Sequence, residues 1–307
     1  VGAMNLKEVV KRAETGPLME ANDFLMKRVA TGVLKLQKEY DIRWDGKTLV
    51  NLDADLADRC WEAGKQLLLQ TGIYSMNSRR VIEFSPKEVE QALRFAPAKV
   101  PMGQGKEATT VYHRKVEDPR PPFVFGGPFN ADVHESTFVK LNEAFAQERL
   151  IDCLLFPGYL KELDGLTIRP GSGLSSRAAV LYGQWAREAV RRAGRPGLAI
   201  CGHAVMALNE IACTSEEWGL RQSDPRAMVL ISELQADDVT MSRTMYYQGY
   251  GCPIYMAFTP LVGGYGGGPD GTAIVATASF IAAIMMGGEI VHILSLIHIS
   301  EPTRLQV

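Results

Sequence analysis

Gly194-Arg-Pro-Gly-Leu-Ala-Ile-Cys-Gly-His203 stops a helix, starts a strand of small and apolar residues, and ends that strand on a thiol. The preceding segment, Leu174 to Ala193, sets Val180, Leu181, Trp185, Ala189 and Val190 at helical spacing. It gathers Arg187, Arg191 and Arg192 toward its end, where cations suit the helix dipole. Gly194 and Pro196 then break the helix. In an extended Gly197 to Cys201, side chains alternate, so Gly197, Ala199 and Cys201 share one face and Leu198 and Ile200 the other. The small face suits the inside of a barrel and the branched face a coat of helices. In a barrel of parallel strands, the strand end that carries Cys201 is where chemistry sits.

The same helix, turn and strand rhythm repeats on both sides. Strands are expected at Phe123 to Gly126, Cys153 to Pro157, Leu198 to Cys201, Met228 to Glu233, Ile254 to Thr259, and from about Ile290. Helical patterns lie between them at Glu135 to Leu150, Leu174 to Ala193, Asp237 to Gln248 and Thr272 to Met286. This alternation predicts an α/β fold, a TIM (β/α) barrel, with a doubly wound open sheet as the competing arrangement. The first hundred residues differ. Leu18 to Tyr40, Ala54 to Thr71 and Pro86 to Phe95 are amphipathic, Ser85 and Glu88 form a capping box, and strand signal is sparse. An N-terminal helical layer over 1–100 is therefore expected ahead of a partial barrel over 101–293. The glycine-rich Met102 to Ala108 and Pro119, Pro121 and Pro122 mark the passage, with a short hairpin over Thr109 to Arg114. Leu294 to Val307 abandons the pattern and reads as a non-native tail, leaving the barrel incomplete at its C-terminus. Val1 to Met4 reads as preceding the true start.

Composition narrows the class. With 46% hydrophobic residues, 22% charged residues and a formal charge of −2 among 307 residues, there is no basic excess to grip nucleic acid. Five cysteines, at 60, 153, 201, 213 and 252, show no CxxC spacing, so neither a disulfide framework nor a structural zinc site is indicated. A reducing cytoplasm fits. The most apolar stretch, Thr272 to Met286, is shorter than the roughly 20 residues a membrane helix needs. No signal peptide is apparent, and no membrane partner is expected.

The chain resembles the monomethylamine:corrinoid methyltransferases of methylotrophic methanogens from about Phe24 to His292. The resemblance rests on Leu67-Leu-Leu-Gln-Thr-Gly-Ile-Tyr74, Met102-Gly-Gln-Gly105, Gly126-Gly-Pro128, Gly194-Arg-Pro-Gly197 with its strand, and Gly263-Gly-Tyr-Gly-Gly267, in order and at compatible spacing. It implies a TIM barrel whose top face holds a methylamine pocket, with no cofactor bound directly. A cognate corrinoid protein, the partner, carries the corrinoid (cobalamin) whose cobalt(I) receives the methyl group. The signature residue of that family is pyrrolysine, an electrophile toward amines. Cys201 stands in its place here, and a thiol is a nucleophile that cannot form the same adduct. Ala227 and Ala257 stand where the family has two glutamates around pyrrolysine. A quaternary amine, already cationic, would need no adduct, so it joins monomethylamine as an expected substrate.

Cys201 and Glu233 are the candidate catalytic residues, and His203, Tyr255, Thr259, Gly263 and Gly264 the candidate substrate-binding residues. Strand parity puts Tyr255, Ala257 and Thr259 on one face, with Glu233 at the end of the strand before, so that a ring and a carboxylate welcome a cation. Each has a plainer reading. Cys201 is a small buried hydrophobe, His203 a loop histidine satisfied by backbone, and Glu233 a cap for the helix from Asp237. The glycine run Gly263 to Gly268 either cradles phosphate or allows close approach of a large partner, and it lacks the Lys and Ser/Thr of a P-loop. Tyr246, Tyr247 and Tyr250 read as helix packing. The competing functions are a non-catalytic small-amine-binding barrel and a phosphate-binding TIM-barrel lyase. A homo-oligomer is expected from the large polar helical coat.

Overall fold

The computed structural model describes residues 6–48, 51–114, 118–129, 131–202 and 219–293. His203, Cys213 and the segment 294–307 lie outside the described residues, as do Val1 to Met4.

A first helix not read from the sequence, α1 (Leu6–Thr15), buries Leu6, Val9 and Ala13 on one stripe. The helix expected from Leu18 to Tyr40 is three abutting pieces: α2 (Ala21–Asp23), a π-helical segment Phe24–Ala30, and α3 (Thr31–Glu39). Asp53 caps α4 (Ala54–Thr71) by accepting the amides of Asp55 and Leu56, and α4 buries Ala63, Gly64, Leu67, Leu68 and Thr71. Two short antiparallel strands follow, β1 (Ile73–Ser75) and β2 (Arg80–Ile82), with Tyr74 opposite Val81. They went unread because three residues, all buried in β1, are too few to show alternation.

The capping box of α5 (Pro86–Phe95) is present as expected, with the Ser85 hydroxyl accepting the Glu88 amide and the Glu88 carboxylate accepting the Ser85 amide at 2.8 Å. Glu88 also binds the Arg12 guanidinium of α1 at 2.5 and 3.2 Å. Chiefly through Arg12, its carboxyl is held at about 2, below the ordinary 4.5. The stabilisation is therefore complete above pH 4.5 and is lost as pH falls toward about 2. Glu88→Gln should lower the melting temperature at pH 7 and leave it unchanged near pH 2, as a melting series across that range would show.

β3 (Lys99–Met102) and β4 (Thr109–Tyr112) form an antiparallel pair. The hairpin expected within Thr109 to Arg114 thus uses that stretch as one arm only. The glycine-rich run is its loop, holding a 3-10 turn at Gly105–Glu107. The alternating elements then follow in order: β5 (Phe125–Gly126), α6 (Glu135–Gln147), β6 (Cys153–Leu155), a small hairpin of β7 (Glu162–Leu163) and β8 (Leu166–Thr167), α7 (Gly173–Arg192), and β9 (Ala199–Cys201). After them come β10 (Arg226–Leu230), β11 (Gln235–Ala236), α8 (Asp238–Tyr250), β12 (Ile254–Phe258), α9 (Pro269–Met285) and β13 (Ile290–Ile293). β5, β6 and β9 are parallel neighbours in that order, with Phe125 opposite Cys153, and Leu155 opposite Cys201. A parallel bridge joins Gly202 to Arg226 at the start of β10, and β10, β12 and β13 are neighbours in turn.

Two compact units divide the chain. One comprises Pro97–Met228 and Ser242–Tyr255. Its outer core sets Leu154, Leu198 and Ile200 of the sheet against Phe138, Tyr182, Ala186 and Val190 of α6 and α7. The branched face of β9 thus meets the helical coat, as alternation predicts. The other unit comprises Val1–Ala96, Val229–Met241 and Met256–Val307. Within it α4 packs along α9, and β11 lies parallel to β1, with Tyr74 opposite Gln235.

Candidate functional site

The strand expected over Met228 to Glu233 ends at Leu230. The chain then turns back on itself, with Ile231 and Gln235 exchanging amide-to-carbonyl bonds at 3.0 and 3.2 Å. Glu233 and Leu234 form the tip in the left-handed region, at φ 59° and 63°, a conformation costly for side chains that branch near the backbone. The end of a continuous strand therefore does not place Glu233. The turn does, and it leaves the residue only 4% exposed.

Above the carboxylate lies a second turn, built from the glycine run. The Gly263 amide donates to the Gly267 carbonyl at 2.8 Å and the Gly264 amide to the Leu261 carbonyl at 3.0 Å. Gly264 is glycine for a steric reason: a Cβ there would sit 2.5 Å from Oε1 of Glu233. The Tyr265 amide donates to the Glu233 carboxylate, while Oε1 is buried and has no hydrogen-bond partner. Burial pushes the Glu233 carboxyl up, and the Tyr265 amide pulls the other way. Ser232 Oγ, next to Glu233, donates to the carbonyl of Thr259, one residue past the end of β12. Four of the expected residues, Glu233, Thr259, Gly263 and Gly264, thus meet within one unit. Sequence reasoning missed Ser232 and the Tyr265 amide, and neither carries a local signal.

Cys201 and Tyr255 belong to the other unit. Cys201 ends β9, and Cys153, opposite Ala199, lies on the same face two residues along. Both are fully buried free thiols, as Cys252 also is a buried one. Burial pushes the Cys201 thiol far up, although Arg226 opposes it, so the sulfur stays protonated at neutral pH. That environment suits the plainer reading, a small buried hydrophobe, and not an activated nucleophile. Tyr255 packs edge-on against Phe125, with ring centroids 5.2 Å apart, and against Phe156 at 6.1 Å. Burial pushes its hydroxyl up as well. Ala227 and Ala257 are both buried. On α8, Tyr247 is buried beneath the Arg226 guanidinium while Tyr246 stacks on Tyr250, so this trio is packing, as the sequence suggests.

Among the described residues, no group of three or more His, Cys, Asp or Glu side chains is placed to hold a metal ion. No described helix is long and apolar enough to cross a membrane.

Residues 4–304 match the profile of the family described as monomethylamine methyltransferase MtmB. The chain is similar to monomethylamine methyltransferase MtmB of Methanosarcina mazei, 28% identical over 289 residues that cover 94% of this chain and 63% of the relative. It is 27% identical over 292 residues to MtmB1 of Methanosarcina barkeri, with the same coverage. It thus spans just under two thirds of the length of these relatives. Two solved structures, the Methanosarcina barkeri monomethylamine methyltransferase and a hydroxylamine complex of MtmB, superpose with a TM-score of 0.90 at 24% identity, over 95% of this chain and 64% of theirs. The fold is a TIM barrel, as the helix and strand rhythm predicts.

Proposed function

We propose, since the chain belongs to the monomethylamine methyltransferase MtmB family, that it takes a methyl group from a methylated amine and delivers it to a corrinoid protein. The observation that carries this reading beyond family membership is the buried carboxylate of Glu233, with one oxygen unpaired beneath a glycine turn at the ends of β10 and β12. A negative group withdrawn from water attracts a small cation strongly. Ends of barrel strands are also where such folds place their chemistry.

The corrinoid is the partner's cargo, and its cobalt(I) supplies the electron pair that takes up the methyl carbon. The C–N bonding pair stays on nitrogen, so the amine leaves easily only if that nitrogen was already cationic. Glu233 favours the cationic form of the amine and holds it. The glycine turn keeps water from the carboxylate. Cys201 fills the barrel interior and takes no part in the transfer. A phosphate-binding lyase is disfavoured by the same feature, since a carboxylate beneath the glycine turn repels phosphate. The reading also places the corrinoid wholly on the partner and the reaction in the cytoplasm.

The test is cobalt(I) methylation, followed by its absorbance change, with the protein, a cognate corrinoid protein and each of several methylated amines. Methylation above background is expected from at least one amine, and Cys201→Ala should keep the rate within about threefold of wild type. Background rates across the whole series would overturn the function. A rate lost in a folded Cys201→Ala variant would return the thiol to the chemistry.

A further inference from the structure

The packing of α4 along α9 is not even along their length. At Gly64 the helices touch, since a Cβ there would sit 2.4 Å from the Cβ of Thr277. One turn earlier on each helix stand the small residues Cys60 and Ala273, and a turn before those Leu56 and Pro269. Between these pairs opens a cavity of about 420 Å³. Its size and its largely apolar lining are those of a small-molecule site. Trp44 forms one wall. The Trp44 amide donates to Oδ1 of Asp270 at 2.5 Å and the indole N–H to the Thr48 carbonyl at 2.8 Å, yet the residue stays 46% exposed. A large ring pinned at both ends and left uncovered is a surface on which another ring stacks at little entropic cost.

The charged groups around the cavity are already engaged. Asp53 accepts the Asp55 and Leu56 amides as the cap of α4, Asp270 accepts the Gln37 amide group at 3.1 Å as well as Trp44, and Arg43 pairs with Asp41 at 3.2 Å. Burial pushes the Cys60 thiol up, so the floor presents a neutral S–H at neutral pH. An entering ion would have to break one of these pairings to be recognised, whereas an uncharged ring has only water to displace.

We propose that this cavity binds an uncharged aromatic small molecule, its ring set against the Trp44 indole above the floor of Cys60 and Ala273. The lining includes neither Glu233 nor the glycine turn above it, so this is a second site, and the inference stands whether or not the chain transfers methyl groups.

Calorimetric titration of the full chain with 2-naphthylmethanol, 2-naphthoate and 2-naphthylmethylammonium tests the proposal, with alkylation of Cys60 read by peptide mass spectrometry to locate the bound ring. The alcohol should bind saturably and about threefold or more tighter than either ion. Bound alcohol should slow Cys60 alkylation in proportion to its occupancy. Trp44→Ala should weaken the alcohol about threefold or more, the scale of one aromatic contact. Ala273→Phe, which fills the floor from an exposed position on α9, should weaken it about tenfold or more and carries the test should Trp44→Ala fail to fold. Absence of saturable binding, either ion binding as tightly as the alcohol, Cys60 alkylation at an unchanged rate, or wild-type affinity in either folded variant would overturn the inference.

Discussion

Asp224→Ala is expected to remove about 3–5 kcal/mol of folding stability, the usual cost of leaving a buried charge without its partner. Asp224 is 1% exposed, and its carboxylate accepts the Arg187 guanidinium at 2.5 Å, the Arg221 amide at 2.7 Å and the Ile200 amide at 3.0 Å. It thereby ties α7 to the middle of β9 and to the approach to β10. Without it, Arg187 keeps its bonds to the carbonyls of Leu198 and Gly219 but loses its counter-charge. Burial already depresses the Arg187 guanidinium, and Asp224 is the group that offsets this. Urea unfolding monitored by circular dichroism measures the loss, and a change below about 1 kcal/mol would mean that solvent screens the pair. Replacing both partners, as Arg187→Met with Asp224→Leu, should recover only part of the deficit, because the buried charge is gone but the Ile200 and Arg221 amides still lose their acceptor.

Gly271→Ala is expected to cost about 3 kcal/mol or more and to weaken amine binding with it. In the first turn of α9, a Cβ on Gly271 would overlap the carbonyl oxygen of Gly266 and stand 2.7 Å from Val33 Cγ1. The overlapped atom is backbone and cannot swing aside, so either α9 or the turn over Glu233 must move. α9 is held by a face of buried residues that includes Ile274, Ala278, Ile281 and Ala282, so the turn is the part that yields. Thermal melting gives the stability loss, and methylammonium titration of the variant at a temperature where it is folded gives the binding loss. A destabilised variant that still bound methylammonium at wild-type affinity would uncouple the turn from Glu233.

Much of the architecture was legible from residues alone. The helix at Pro86 was announced by its Ser85 and Glu88 cap, and β9 by the glycine and proline that precede it. The outward face of β9 followed from alternation, because Leu198 and Ile200 could only be buried against helices. α1, with its stripe of Leu6, Val9 and Ala13, went unread because three stripe positions over ten residues give only a short helical period. β1, β2 and β11 escaped because their partners are supplied by distant segments, and runs of two or three residues carry no measurable period. At the site, Glu233 is expected at the end of a strand, and the structure holds it instead in a tight turn beyond that strand. His203 lies outside the described residues.

What the sequence determined by itself was the succession of helices and strands and the side of each that faces the core, since both depend on hydrogen bonding and burial within a few residues of the chain. Only the tertiary structure decided that Cys201 is sealed from water, that Glu233 sits in a left-handed turn, and that Gly264 lies against its unpaired oxygen. Those outcomes depend on which distant backbones approach each other and on the water they exclude, and no local pattern of side chains encodes either.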